Sequence, residues 1–511
     1  MTKFKRFIIN GLLITAVSLL MRTIAVSFNV YLSETIGAVA MGVFTLISTV
    51  YGFALTVATS GIGLAATRHI AEAVGEDEYS GKSPAVRCIV KKCVTYALVF
   101  SISSAVILYV LSPYIGKNIL SDERTVSSLK CLALTLPPIA LSSVFSGYFT
   151  AVRRVYKNAV VQVFGQGIKI FSCIGLITVL GASDVESACL SVVIGGTVAE
   201  LGSFTIQYLF YLFEKSIRRD IKPSPHSEKR AMKKVLGTAL PVAFSAYARS
   251  GLITIEHILI PKGLEKSGSS KDLSLAAYGT IHSMVFPLIF FPSALSSAFA
   301  GLLVPEVAES LAQKDTDRIH RIIYKVFFSA LTFAIGTAGI MMCFSYELSN
   351  TVYPTANAGR YVLMIAPLIP VMYLDTSVDG ILKGLGEQVY CMGVNIIDAL
   401  LSVILVWLLL PKMGISGYIL TVYFTETVNA ALSIARLFTV TKIKPRITDW
   451  VIKPLFSIII SCAVARAIAS HMTGRIEGVW ALTSYLAFTA CLYIFLIFIL
   501  NIFKRKSRLS H

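Results

Sequence analysis

Between Pro241 and Pro261 the chain is apolar enough to cross a bilayer, yet it carries Arg249 and, seven residues on, Glu256. Two residues seven apart share one face of a helix. A charge exposed to hydrocarbon costs at least about 2.5–3.5 kcal/mol, so that face should look into protein or a wet cavity. The first hydrophobic run repeats the design, because a shift of 227 positions lays Arg22 on Arg249 and Asn29 on Glu256. The chain reads as one built twice around a single polar chamber.

With 55% hydrophobic and only 14% charged residues, the chain is far from a soluble domain, in which roughly 25% of residues are charged. An integral, all-α polytopic membrane protein is expected. The net charge of +18 lies between hydrophobic runs and not on a separate polar domain, so it implies lipid head groups and not nucleic acid as neighbours. The nine cysteines include no Cys-x-x-Cys pair and read as small buried hydrophobes, with no disulfide framework and no metal site. The run after Lys3, Lys5 and Arg6 continues at full spanning length with an arginine in it, which reads as a retained first helix and not a cleaved signal.

At about 20 residues per crossing, spans fall near 8–32, 38–67, 93–111, 127–150, 159–181, 187–213, 235–260, 274–304, 322–344, 360–382, 390–410, 415–437, 450–470 and 479–502, fourteen in all. The termini and the even-to-odd loops then hold 33 of the 46 lysines and arginines, and the odd-to-even loops hold nine. That bias predicts both termini in the cytoplasm. A miscounted helix would have inverted the pattern partway along.

The halves align in matching order. An offset of 237 puts Ala40-Met-Gly42 on Ala277-Tyr-Gly279 and Ala71-Glu72 on Ala308-Glu309, and an offset of 233 puts Pro137 on Pro370 and Gly147 on Gly380. Helix 1 pairs with 7, 2 with 8 and 4 with 10, so the repeats are parallel. The expected organisation is two pseudo-symmetric six-helix lobes, residues 1–218 and 219–445, followed by two C-terminal helices and a basic tail over 446–511. The longest hydrophilic connection, about 214–234 with Lys222-Pro-Ser-Pro225, reads as a solvated linker. No loop has room for a folded domain and no phosphate-binding Gly-x-x-x-x-Gly-Lys-Ser/Thr motif occurs, so any energy comes from ion gradients, membrane potential or the substrate's own gradient. No cofactor is expected.

Candidate substrate-binding residues are Arg22, Asn29, Arg249 and Glu256, with Gln162, Gln166 and Lys169 as one stripe of the fifth helix. Guanidinium pairs bidentately with phosphate oxygens, so a deep cation cluster suits a phosphate or pyrophosphate. Candidate groups for Na+ or H+ coupling are Asp375 and Asp379 one turn apart, Asp398 near Asn395, Glu200 and Glu426. Each has a plainer alternative: a structural ion pair for the arginines, snorkelling for Lys169, contact with water for Glu256, Asp375 and Asp379, a local bond to Asn395 for Asp398, and helix-to-helix hydrogen bonding for Glu200 and Glu426. His282, before Pro287 and Pro292, reads as a packed histidine.

With its span count, its six-plus-six halves, two trailing helices and the stretch Gly42-Val-Phe-Thr-Leu…Ser60-Gly-Ile-Gly…Arg68-His-Ile-Ala-Glu72, the chain resembles the multidrug/oligosaccharidyl-lipid/polysaccharide exporter superfamily. Within it, it is most similar to the polysaccharide-biosynthesis, stage V sporulation protein B group. The resemblance implies two six-helix lobes in a V, alternating access, no enzymatic activity, and a lipid-linked saccharide as cargo of a monomeric transporter. In the similar lipid II flippases, arginines of the lobes face the pyrophosphate, and Arg22 and Arg249 stand at the matching positions. Residues 38–67 lack the charges those flippases carry on their second helix. The same resemblance admits a Na+- or H+-coupled multidrug exporter, whose cavity would favour acids. A membrane glycosyltransferase would need a large outer loop or an acidic metal motif, and neither is present.

Overall fold

The computed structural model describes residues 3–76, 84–180, 184–215, 225–354, 358–472 and 478–507. Residues 216–224 of the expected linker lie outside these. The described chain is 92% helical with no strand, as a bilayer requires of a backbone that must satisfy its own hydrogen bonds. The helices are α1 (Lys3–Thr59), α2 (Ile62–Glu76), α3 (Pro84–Tyr114), α4 (Val126–Ala133), α5 (Leu136–Ala151), α6 (Val155–Leu180), α7 (Val185–Lys215), α8 (Pro225–Lys266), α9 (Lys271–Gly279) and α10 (Phe286–Phe290). They continue as α11 (Ser293–Ala312), α12 (Thr316–Cys343), α13 (Ser345–Val352), α14 (Gly359–Ile365), α15 (Ile369–Gly384), α16 (Gln388–Met413), α17 (Ile415–Thr441), α18 (Lys453–Met472) and α19 (Val479–Ser507).

Ten of the described helical stretches are long and apolar enough to cross a membrane, or eleven if the bent pair Glu123–Ala133 and Leu136–Ala151 forms one span. The difference from fourteen has a physical source. One stretch, Leu20–Val74, takes in residues 20–32 of the first expected span and all of the second, broken within α1 by Gly37 at φ 76°. Neither α8, with Arg249 and Glu256, nor α17, with Glu426 and Arg436, is among the ten. The expected eighth span is not one helix either. It runs as α9, a π-helical turn at Thr280–Val285, α10 before Pro292, and α11.

The chain divides into two compact units. The first comprises Met1–Gly37, Gly263–Ser269 and Thr280–His511, and the second Ala38–Lys262 and Ser270–Gly279. The expected boundary at 218/219 therefore lies inside the second unit, and each repeat's leading helix packs with the other repeat's remainder. The break in α1 falls at Gly37, where a positive φ costs glycine nothing.

In the second unit α8 is fastened to the latter half of α1 by hydroxyls. Thr56 and Ser250 lie 3.2 Å apart, Thr254 Oγ1 donates to the Thr49 carbonyl at 3.5 Å, and Tyr247 bonds Ser60. Tyr96 Oη reaches the Ser60 carbonyl at 3.1 Å. Tyr247, Ser250 and Thr254 fall on one face at i, i+3, i+7, which turns Arg249 and Glu256 to the opposite face. The core of this unit gathers α2, α3 and α5 around Ile62, Ala66, Ile70, Val144 and Phe149.

The core of the first unit gathers α12, α15 and α18 around Ile323, Phe327, Ile381 and Trp450. Related helix pairs pack in both units, α2 on α5 and α11 on α15. Glycine admits each crossing: a Cβ on Gly147 would stand 3.0 Å from the Gly63 carbonyl oxygen, and one on Gly384 2.9 Å from the Val304 carbonyl oxygen.

Gly42 and Gly279, equivalent in the two repeats, meet directly in the second unit. A Cβ on Gly279 would lie 2.5 Å from the Gly42 nitrogen, and one on Gly42 would lie 2.1 Å from the Leu275 carbonyl oxygen. Without a water-driven hydrophobic effect between helices, such backbone approach is what holds them.

Beside this crossing, Asp122, 2% exposed, binds Arg124 bidentately at 2.8 and 2.6 Å and Lys271 at 3.3 Å. Arg124 also reaches Asp272 at 3.3 Å. Burial alone would raise the Asp122 carboxyl, but the Arg124 guanidinium and Lys271 overcome it and hold the group below the ordinary carboxylate range.

Two outcomes follow. Gly279→Ala should lower the thermal stability of solubilised protein by about 1–3 kcal/mol through overpacking, whereas Gly167→Ala, with nothing near its added methyl, should change it little. Because the folded pKa of Asp122 is depressed, its contribution is complete above the unfolded value near 3.9 and disappears as pH falls through the folded one. Asp122→Asn should cost about 3–5 kcal/mol at pH 7 and less on acidification, as measured by unfolding across a pH series.

Candidate functional site

In the first unit, Arg22 is half-buried on α1 and has no ion pair among the described residues. Tyr373 of α15 is its electrostatic neighbour, and that phenol is fixed by donating to the Ile289 carbonyl at 2.5 Å. Asn29 is half-buried two turns further along the helix. Tyr373 escaped the sequence reading because a tyrosine inside an apolar run gives no signal until packing places it.

The same unit assembles the acids of α15 and α16. Asp375 and Asp379 are electrostatic neighbours of each other, and Asp375 also senses Asp398 and bonds Ser433 of α17. Asp379 takes Lys383 at 3.1 Å, while one Asp375 oxygen is buried with no hydrogen-bond partner. Asn395 donates to the Cys391 carbonyl at 2.7 Å. Among the described residues no His, Cys, Asp or Glu group has metal-binding geometry. Glu426 is half-buried. Tyr418 meets His282 at 3.0 Å and Phe286 packs on the same ring, which makes His282 a packed side chain.

In the second unit, Lys169 of α6 and Glu200 of α7 are electrostatic neighbours, and Glu200 also senses Tyr51. Tyr51 is anchored to Thr135 at 2.7 Å. Gln166 is half-buried in the same stripe as Lys169, and Gln162 is exposed. Arg249 is exposed and without an ion pair among the described residues, and Glu256 neighbours Tyr278, which bonds His257 at 2.6 Å.

The paired arginines are therefore not locked into structural salt bridges, in contrast with Arg466, which binds Glu347 and the Cys343 carbonyl. A free guanidinium in a membrane helix is a ready anion-binding group. The acids Asp375, Asp379 and Asp398 sit on α15 and α16 of the first unit, and Arg249 and Lys169 on α8 and α6 of the second.

Comparison with known proteins places the chain in a family. The polysaccharide biosynthesis protein family matches residues 8–278. The chain belongs to that family. A second family, MatE, matches residues 267–408 of this member. It is 22% identical to Stage V sporulation protein B of Bacillus subtilis (strain 168) over 505 residues, 98% of this chain and 96% of the relative. Among solved structures it is similar to a lipid II flippase in an inward closed conformation, with TM-score 0.70 and 13% identity over 97% of this chain and 99% of that one. It is also similar to an inward-facing multidrug resistance transporter of the same superfamily, with TM-score 0.63 and 15% identity over 84% and 100%. The family member is thus a multi-pass membrane protein of the exporter superfamily expected from its sequence.

In a background stripped of native cysteines, Arg249→Cys should react with a membrane-impermeant thiol reagent about ten-fold or more faster than Phe171→Cys, whose side chain is 79% exposed on an apolar helix surface and would meet lipid. Equal labelling would show that Arg249 does not face water.

Proposed function

We propose that the protein is an alternating-access flippase for an undecaprenyl-pyrophosphate-linked saccharide, a peptidoglycan precursor or polysaccharide unit, across the bacterial cytoplasmic membrane. It works as a monomer with both termini in the cytoplasm, an orientation supported by the loop bias of lysine and arginine. The observation that carries the reading is the pair of repeat-related arginines, Arg22 and Arg249, that make no ion pair among the described residues. Arg22, Arg249 and Lys169 bind the pyrophosphate oxygens, while Asn29, Gln162, Gln166 and Glu256 serve the sugar hydroxyls. The polyprenyl tail stays in the bilayer, since moving it into a polar chamber gains nothing. The near full-length relative is a sporulation protein, which supports a role in building the spore cortex.

Chemical work comes from the acids. Asp375, with Asp379 and Asp398 close by, binds Na+ or H+ and links the conformational cycle to an ion gradient, and Glu200 and Glu426 are further candidates for that role. The MatE match over residues 267–408 and the same acid cluster favour a second reading, a Na+- or H+-coupled multidrug exporter.

The test is flipping of a fluorescent undecaprenyl-pyrophosphate saccharide in proteoliposomes. Arg249→Ala should slow it roughly 10–100-fold, the loss of a charge-assisted hydrogen bond, with insertion unchanged and Arg249→Lys intermediate. Unaltered flipping by Arg249→Ala would overturn the assignment, and gradient-driven uptake of an organic cation in its place would establish the exporter. Asp375→Asn should leave flipping insensitive to collapse of the ion gradient.

A further inference from the structure

Arg318, Arg321 and Lys325 occupy one stripe at the start of α12, spaced i, i+3, i+7. Together with Leu303, Glu306, Ile322 and Val326 they line a cavity of about 360 Å³ between α11 and α12, all of it inside the first unit. Three cations stand there against one carboxylate. Arg318 is partly engaged, 3.5 Å from Glu309 and 3.4 Å from Gln313. Arg321 and Lys325 are exposed and have no ion pair among the described residues. Like charges at these spacings destabilise a helix unless an anion lies between them.

The cavity is also amphipathic. Ile322 is buried and Val326 half-buried, so an apolar wall continues from the cationic mouth along α12. That helix, Thr316–Cys343, is long and apolar enough to cross a membrane, and the cations lie within its first three turns, where a spanning helix would meet the head groups. A free inorganic anion has no use for an apolar wall; a lipid with a charged head group matches both parts.

We propose that this cavity is a binding site for an anionic phospholipid, with Arg321 and Lys325 on the head-group phosphate, Arg318 at its edge and an acyl chain along Leu303, Ile322 and Val326. The site shares no residue with the set Arg22, Arg249 and Lys169. On the orientation proposed above it opens to the cytoplasmic leaflet, where anionic lipid attracts clustered basic residues. Like basic pockets between membrane helices generally, it holds lipid by charge as well as by shape.

The experiment is native mass spectrometry of the full chain extracted from nanodiscs containing equal phosphatidylglycerol and phosphatidylcholine. The parent protein should retain phosphatidylglycerol selectively, and Arg321→Gln/Lys325→Gln should retain about 30-fold less, the effect of two basic residues near a membrane surface. The exposed-surface control Lys412→Gln should retain it as the parent does. Inorganic phosphate at millimolar concentration should not displace the lipid. Equal retention by the double variant, no preference over phosphatidylcholine, or displacement by phosphate alone would each overturn the assignment. Since retention is measured without transport, loss of flipping in Arg249→Ala neither supports nor removes this site.

Discussion

Hydrocarbon gives a guanidinium nothing to bond with, and much of this chain can be understood from that constraint. Arg249 sits in a helix whose other face is taken by Tyr247, Ser250 and Thr254, tied to the hydroxyls and carbonyls of α1. The hydroxyl face satisfies itself inside the unit, which leaves the cationic face free for something else. Arg22 likewise makes no ion pair among the described residues, beside a tyrosine whose own hydrogen is already committed to Ile289. Arginines that only held helices together would resemble Arg466, closed onto Glu347.

Holding such helices requires close backbone approach, because apolar side chains gain little from one another in lipid. Glycine supplies it at α5, at α15 and where Gly42 meets Gly279. These crossings are rigid: a single added methyl collides with main-chain atoms. The compact units therefore carry their polar groups on firm supports, and α1 is broken at Gly37, the last residue of the first unit's opening segment.

Much of the fold and some of the site could be read before any coordinates. The seven-residue spacing of Arg249 and Glu256, the shift that superposes Arg22 on Arg249, and the alignment of Gly42 with Gly279 are all periodic, and periodicity survives in one dimension. Span number was harder. The expected spans 8–32 and 38–67 lie on one helix broken at Gly37, and α8 and α17, read as spans from the sequence, are not among the ten stretches long and apolar enough to cross a membrane. Tyr373 beside Arg22, Ser433 beside Asp375, and Lys169 opposite Glu200 were hidden because each pair joins different helices.

By itself, the order of residues determined that the chain is a helical, multi-pass membrane protein of duplicated design with cations inside its spans, since composition and hydrophobic period are local properties that water and lipid act on directly. Tertiary structure alone decided which helix belongs to which compact unit. It grouped the leading helix of each repeat with the other repeat's unit, α8 through contacts such as the Thr56–Ser250 bond, and it seated Gly279 on Gly42, between residues 194 and 237 positions apart. Those contacts depend on shape complementarity between backbones, which no one-dimensional pattern encodes.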